Sequence, residues 1–196
     1  MDTNPLDPRI LPTWEKGVVS FRSASQLFSS LVDIIEIPYN QTTIPGYFLR
    51  ADKSEEYDKS QSRVARPTLI FTTGLDGAQE ELYFLGVAAA LKRGYNCLTF
   101  EGPGQGMVVR KQKLPFRPDW EKVVFTVIDF ILSTKIDPQR IALIGYSMGG
   151  YLALRAAAFD DRIAACIADD GVLSIYDAWI NQLQSIREDI ENRMQQ

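Results

Sequence analysis

Apolar and polar positions alternate in blocks along the chain, and four of the apolar blocks are short. They are rich in β-branched and aromatic residues and almost continuously apolar, which is typical of strands buried on both faces of a sheet. They cover residues 68–74, 95–100, 140–146 and 163–169. The segments between them repeat apolar residues at helical spacing, over 78–94, 119–135 and 148–158. The pattern predicts the α/β fold class, with a mostly parallel sheet of adjacent strands and helices on both of its faces.

The chain before the first of these strands has a different pattern. Residues 1–29 contain several prolines and little periodicity, so we assign them to a separate N-terminal segment. Residues 30–39 and 42–51 are typical of two strands joined by a turn-prone Asn-Gln pair, and they can extend the sheet as an antiparallel edge. We therefore place the core domain at residues 30–175.

The last segment, residues 176–196, predicts an amphipathic helix. Its apolar residues recur at spacings of three and four and form one stripe. The stripe consists of Ile180, Leu183, Ile186, Ile190 and Met194. No later segment of the sequence covers this stripe, so we expect the helix to need a partner. Self-association through the stripe would provide one.

The amino-acid composition limits the classes of partner that the chain is expected to bind. The 196 residues are 45% apolar, carry a net charge of −4 and include two cysteines and no histidine. The acidic balance argues against nucleic acid and anionic membranes as partners. Cys97 and Cys166 lie in apolar runs, which is typical of buried reduced thiols, and we expect no metal and no cofactor. The acidic, proline-containing start and the lack of a long apolar run predict a cytoplasmic protein.

The sequence GYSMG at residues 145–149 fits the motif G-x-S-x-G between a strand and a helix. At such a sharp turn Ser147 would be exposed as a nucleophile, and the glycines leave room for strand and helix to cross. The N–H of Met148 begins the helix, where it can donate to an oxyanion. We expect a second donor at Leu75, in the turn after the first parallel strand. The alternative is a glycine-rich helix start without chemistry.

A second glycine-rich segment, EGPGQG at residues 101–106, resembles the start of a dinucleotide-binding fingerprint. That fingerprint requires the glycines to open a helix directly. Here the segment MVVRKQKLPFRP, with two prolines, comes before the next helix. We therefore interpret residues 101–106 as a tight loop at the end of a strand, with Gly102, Gly104 and Gly106 lining the mouth of a pocket.

Together, the segments TLIFTTGLDG, FEGPGQG and RIALIGYSMGGYLALRAA resemble the α/β-hydrolase superfamily. More specifically, they resemble the branch that contains 2,6-dihydroxypseudooxynicotine hydrolase and related hydrolases of fungal secondary-metabolite clusters. The resemblance implies that Ser147 is the nucleophile and that Met148 and Leu75 supply oxyanion amides beside the glycine loop. It also implies a small-molecule substrate with a reactive carbonyl, in an ester, thioester or C–C bond, often of polyketide origin.

Proteins of this superfamily also carry a helical cap and further strands after the nucleophile. The resemblance implies that residues 1–29 are a remnant of the cap and that residues 176–196 begin a cap helix. Few residues follow Ser147 in this sequence. We therefore expect a truncated α/β-hydrolase from which the C-terminal strands and most of the cap are missing.

The lack of histidine leads to two functional hypotheses. A serine hydroxyl needs a base, usually histidine, to take its proton, and the sequence contains none. Asp169 and Asp170 could be an alternative triad acid or a strand-end turn, and a tyrosine or lysine base is a further alternative. The first hypothesis is a serine hydrolase or acyltransferase that forms an acyl-serine intermediate. The second is an inactive remnant that acts as a binding or assembly module.

Overall fold

The computed structural model describes residues 32–51, 65–134 and 136–194. Within them, one sheet contains six strands: β1 (Val32–Tyr39), β2 (Thr42–Leu49), β3 (Thr68–Thr72), β4 (Asn96–Phe100), β5 (Ile141–Tyr146) and β6 (Ile163–Asp169). The strand order is β1-β2-β4-β3-β5-β6. β4, β3, β5 and β6 are parallel, whereas β2 pairs antiparallel with both β1 and β4. The four predicted parallel strands and the antiparallel edge are confirmed.

Four α-helices lie in the described residues: α1 (Ala88–Lys92), α2 (Glu121–Leu132), α3 (Met148–Ala157) and α4 (Ile175–Met194). α1 continues a π-helical segment, Tyr83–Val87, so the helix predicted over 78–94 begins later than expected. A second π-helical turn, Val108–Gln112, lies where the sequence predicts only a loop. The helices predicted near α2, α3 and α4 are present at those positions.

Alternate residues of the central strands face two separate apolar clusters. Ile70 and Leu98 pack on one face of the sheet with α2, α3 and the buried Trp120. Phe71 and Cys97 pack on the other face with the π-helical segment and α1. A period of two along each strand, with apolar residues at both phases, is what a sheet buried on both faces requires. The predicted helical layers on both faces are therefore confirmed.

Both cysteines are free thiols. Cys97 is buried, and desolvation raises its pKa to about 12. Cys166 is only partly buried, and desolvation raises its pKa as well. A raised pKa keeps a thiol protonated at neutral pH, so neither cysteine is activated as a nucleophile.

The predicted division of the chain is covered by the structure only in part. The N-terminal segment at residues 1–29 lies outside the described residues. The sheet and its helical layers occupy the predicted core domain, and α4 begins one residue before the predicted C-terminal segment. The assignment of the two end segments to a cap stays a prediction.

Candidate active site

The candidate nucleophile lies where β5 ends and α3 begins. Ser147 is exposed and has φ 57° and ψ −130°, a conformation that residues other than glycine rarely adopt. Such backbone strain persists only where the surrounding structure enforces it, and it clusters at active sites. The predicted serine is therefore at the tip of a sharp and strained strand-to-helix turn, which we call the elbow.

Glycines permit the tight crossing of strand and helix at the elbow. A Cβ atom on Gly145 would overlap the carbonyl oxygen of Gly149. A Cβ atom on Gly149 would lie 2.5 Å from the carbonyl oxygen of Thr73, closer than real Cβ atoms approach other atoms. Both positions therefore require glycine, and the elbow packs directly on the end of β3.

Two backbone hydrogen bonds hold the elbow in place. The N–H of Ser147 donates to the carbonyl oxygen of Asp169 at 2.9 Å. The N–H of Gly150 donates to the carbonyl oxygen of Ser147 at 2.8 Å. The first bond ties the elbow to the end of β6 and the second closes the first turn of α3, so the main chain fixes the position of the serine.

The turn after β3 approaches Ser147 at Gly74. A Cβ atom on Gly74 would lie 3.1 Å from the nitrogen of Met148 and 3.2 Å from the Oγ of Ser147. A larger residue would crowd the space where an oxyanion would form. Leu75 follows directly and is 40% exposed. The sequence did not predict Gly74 as a functional position, and the oxyanion roles of the Met148 and Leu75 N–H groups stay predictions.

Tyr146, next to Ser147 in the chain, is poorly placed to act as a base for the serine hydroxyl. The hydroxyl of Tyr146 donates to the carbonyl oxygen of Leu85 at 3.3 Å, and its ring packs on the cluster that contains Phe71. Burial raises the pKa of Tyr146, and the negative charge of Asp169 raises it further. The ordinary pKa of a tyrosine hydroxyl is about 10, so a pKa raised above that value keeps Tyr146 protonated at neutral pH and unable to accept the serine proton.

Asp169 and Asp170 lie at the end of β6, beside the elbow. Both residues are exposed, and Asp170 has φ 58°, the left-handed conformation found in turns. The carbonyl oxygen of Asp169 accepts the N–H of Ser147, so this residue contacts the elbow through its main chain. These features agree with the strand-end turn, and a role of either carboxylate as triad acid stays a prediction.

The glycine loop after β4 is buried throughout residues 101–106. A Cβ atom on any of the three predicted glycines would collide with a side chain of the core. The pairs in contact are Gly102 with Trp120, Gly104 with Phe116, and Gly106 with Glu101. Packing therefore accounts for these glycines, and their predicted place at the mouth of a pocket stays a prediction.

The same loop carries two buried polar side chains that the sequence did not single out. Glu101 and Gln105 are 1% and 0% exposed. The pKa of the Glu101 carboxyl is raised overall, mainly by burial and further by the charge of Glu80. Hydrogen bonds from the Met107 and Gln79 N–H groups oppose this shift. The signal in the sequence is weak, because it consists of two polar residues in a glycine-rich loop directly after a buried strand.

The amino-acid sequence of this chain matches a known protein family. Residues 69–192 match the sequence profile of the alpha/beta hydrolase family, a match that covers more than half of the chain. The parallel sheet and the strained serine between β5 and α3 agree with that match. The chain belongs to the alpha/beta hydrolase family.

Its relatives include named fungal hydrolases. The chain is 43% identical over 188 residues to the hydrolase acrC of Aspergillus aculeatus, covering 90% of this chain and 44% of that protein. It is 40% identical over 187 residues to the 20-hydroxy-prefusarin hydrolase of Gibberella moniliformis, covering 92% of this chain and 43% of that protein. The chain therefore spans less than half the length of these curated relatives.

Among solved structures, the crystal structure of 2,6-dihydroxy-pseudo-oxynicotine hydrolase is similar to this chain. The two superpose with a TM-score of 0.66 and 28% sequence identity, over 77% of this chain and 40% of the other. The resemblance to this branch of the superfamily, predicted from the sequence, is confirmed.

Membrane spans and metal clusters are both absent from the part of the chain that the structure describes. No helix in residues 32–51, 65–134 and 136–194 is long and apolar enough to cross a bilayer. In the same residues, no three His, Cys, Asp or Glu side chains lie close enough together to share a metal ion.

Proposed function

We propose that Ser147 is the nucleophile of a serine hydrolase or acyltransferase that acts on a carbonyl bond of a small secondary metabolite. The observation that carries this proposal is the strained, exposed backbone of Ser147 between β5 and α3. Strain of this kind costs about 1–3 kcal/mol and gives no benefit to a glycine-rich helix start without chemistry. The named relatives are hydrolases, which agrees with this role.

The proposed reaction forms an acyl-serine intermediate. The Oγ of Ser147 attacks the substrate carbonyl carbon while a base removes the hydroxyl proton, and the carbonyl oxygen becomes an oxyanion. The N–H groups of Met148 and Leu75 stabilise that oxyanion, in the space that Gly74 leaves open. Collapse of the tetrahedral intermediate breaks the ester, thioester or C–C bond, and the leaving group takes up a proton. Water or another acceptor then releases the acyl group.

The substrate class is proposed from the relatives. One is named for 20-hydroxy-prefusarin, and a similar structure is that of a hydrolase named for 2,6-dihydroxy-pseudo-oxynicotine. Both names denote small organic molecules. We propose a substrate of comparable size, of polyketide type, for the protein to which this chain belongs.

The base for Ser147 is the part of the site that these residues do not supply. The 196 residues contain no histidine, so an imidazole base must come from outside them. Removal of the histidine from a serine triad lowers kcat by a factor on the order of 10⁶. We therefore propose that the 196 residues alone hydrolyse an activated aryl ester no faster than their Ser147→Ala variant.

A fluorophosphonate probe with added imidazole tests whether Ser147 is placed for attack. Intact-mass spectrometry would follow labelling of the wild type, Ser147→Ala and a control, Ser133→Ala, with and without imidazole. We expect slow, unselective labelling without imidazole. With imidazole we expect an adduct on Ser147 in the wild type and in Ser133→Ala, and no such adduct in Ser147→Ala.

Two outcomes would contradict the proposal in different ways. If imidazole gives no adduct on Ser147, the serine is not placed as a nucleophile. If stoichiometric labelling of Ser147 occurs within minutes without imidazole, another residue of the chain serves as its base. Variants of Tyr146, Asp169 and Asp170 would then identify that base.

A second candidate function is a binding or assembly module without catalysis. The observation that favours it is the exposure of large apolar side chains on and beside α4, which include Leu173, Tyr176, Trp179, Leu183 and Ile186. The labelling experiment separates the two functions, because a module without catalysis needs no reactive Ser147.

A further inference from the structure

We propose that Glu101 and Gln105 form a clamp that positions the turn at residues 73–79, which carries the proposed oxyanion donor Leu75. We call this segment the oxyanion turn and the two side chains the clamp. The inference rests on the proposed function and adds two positioning residues to it. Neither side chain is proposed to touch the substrate.

Gln105 holds the first residue of the oxyanion turn. Its Nε2 donates to the carbonyl oxygen of Thr73 at 2.5 Å and to the Oγ1 of Thr72 at 3.1 Å. Its Oε1 accepts the N–H of Gly102 at 2.8 Å. The amide thus donates at one end and accepts at the other, so its orientation is fixed inside the core. The carbonyl of Thr73 belongs to the peptide that leads into Gly74, next to the nucleophile.

Glu101 holds the last residue of the oxyanion turn. Its Oε1 accepts the N–H of Gln79 at 3.1 Å, and its Oε2 accepts the N–H of Met107 at 2.7 Å. Gly106 leaves room for this carboxylate, because a Cβ atom there would overlap it. The carboxylate therefore joins the end of the oxyanion turn to the glycine loop.

The clamp holds the oxyanion turn on both sides of Gly74 and Leu75, where the proposed oxyanion donor must be accurately positioned. Between its two ends lies Gly74, where an added Cβ atom would be 3.1 Å from the Met148 nitrogen and 3.2 Å from the Ser147 Oγ. Misplacement of a reacting group by about 1 Å can cost about 100-fold in rate. Burial of a carboxylate lowers folding stability. Because folding stability does not explain the buried Glu101, its presence in the core agrees with a positioning role.

Hydrogen exchange measured by mass spectrometry tests the clamp without any need for activity. Gln105→Met keeps the length of the side chain and removes its hydrogen bonds. We expect exchange of the oxyanion turn to become at least about tenfold faster, since the loss of even one of these buried hydrogen bonds implies about that factor, while exchange in β5 stays unchanged. Thr72→Val removes only one hydroxyl from the network, and we expect a smaller change in the same turn.

Gln112 provides a matched control. Its Nε2 donates to the carbonyl oxygen of Thr43 at 2.8 Å and its Oε1 accepts the hydroxyl of Thr42 at 2.9 Å, so it makes the same kinds of bonds at the β1–β2 hairpin. We expect Gln112→Met to speed exchange at the hairpin and leave the oxyanion turn unchanged. Unchanged exchange of the turn in both Gln105→Met and Thr72→Val would overturn the clamp.

Imidazole-assisted labelling of Ser147 separates a positioning role from a purely structural one. We expect the labelling rate to fall by about 10-fold to 100-fold in Gln105→Met and to stay at the wild-type level in Gln112→Met. An equal rate in the wild type and Gln105→Met would overturn the positioning role. If the wild type itself gives no adduct on Ser147, the proposed function fails, whereas hydrogen exchange still reports on the clamp.

Discussion

At the scale of single residues, the elbow stores strain in one backbone conformation. Ser147 has a positive φ, and Gly145 and Gly149 on either side have no space for a Cβ atom. If only the stability of the turn mattered, glycine would be the favoured residue at position 147, because glycine adopts a positive φ without a steric penalty. A serine at this position therefore has a cost in folding stability.

This cost predicts an unusual order of stability among variants. Glycine at residue 147 avoids the backbone strain of about 1–3 kcal/mol that serine and alanine have there. Glycine also makes the unfolded chain more flexible, which lowers the free energy of unfolding by about 0.4–1 kcal/mol relative to alanine. We expect Ser147→Gly to be about 1 kcal/mol more stable than Ser147→Ala, as measured by urea denaturation at low protein concentration.

Ser133 is the control, because it ends α2 with an ordinary helical φ of −72°. There we expect Ser133→Gly to be less stable than Ser133→Ala, since only the unfolded-state effect remains. If the order of glycine and alanine is the same at both positions, Ser147 is not strained.

The sequence was sufficient to predict that Ser147 lies at a sharp strand-to-helix turn, because the elbow is a local motif whose spacing reflects one tight turn. It was not sufficient for Gly74, Glu101 or Gln105. Their proposed roles depend on contacts between the two loops that follow β3 and β4. The predicted parallel pairing of these strands brings the two loops to the same edge of the sheet, but it does not indicate which side chains of one loop bond to the main chain of the other.

At the scale of elements, periodicity predicted the strands and helices well and their ends less well. The π-helical turn Val108–Gln112 was missed because it is short and lies close to two prolines, which are typical of loops. It ends at Lys113, which has φ 58°. Short helical turns of this kind depend on tertiary contacts more than on intrinsic propensity.

The glycine loop offers a test of packing that is independent of backbone strain. Gly104 and Gly94 have similar φ values, 90° and 86°, so alanine causes similar backbone strain at both. A Cβ atom on Gly104 would overlap the Phe116 ring, whereas one on Gly94 would lie 3.4 Å from the flexible end of Arg66. We expect Gly104→Ala to lose about 1–3 kcal/mol more than Gly94→Ala in urea denaturation.

Equal losses at the two glycines would show that the loop moves away from Phe116 at little cost. The double variant Gly104→Ala with Phe116→Leu checks the cause of any excess. If the overlap with the ring is responsible, the smaller side chain should recover part of the lost stability.

At the scale of the whole molecule, the edge strand β6 and the helix α4 both expose large apolar side chains. In the described residues, β6 pairs only with β5, and its Ile167 is 53% exposed. Leu183 and Ile186 on α4 are 54% and 56% exposed. Open strand edges and large apolar patches promote association, so we expect copies of this chain to self-associate.

Sedimentation velocity at several protein concentrations would measure this association. We expect the double variant Leu183→Lys and Ile186→Lys to reduce it, because two charges replace apolar contacts. The double variant Gln184→Lys and Ser185→Lys adds the same charge at exposed polar positions of α4 and should have less effect. A monodisperse wild-type monomer at all concentrations would contradict the prediction.

The strand order also determines when the sheet can assemble during synthesis. β4 lies between β2 and β3, so the early β1–β2 hairpin and β3 share no neighbour until β4 leaves the ribosome. β5 and β6 are synthesised later and lie beyond β3, at the other edge of the sheet. Because the Ser147 N–H donates to the carbonyl oxygen of Asp169 at the end of β6, this hydrogen bond can form only after the last strand of the described sheet has been synthesised.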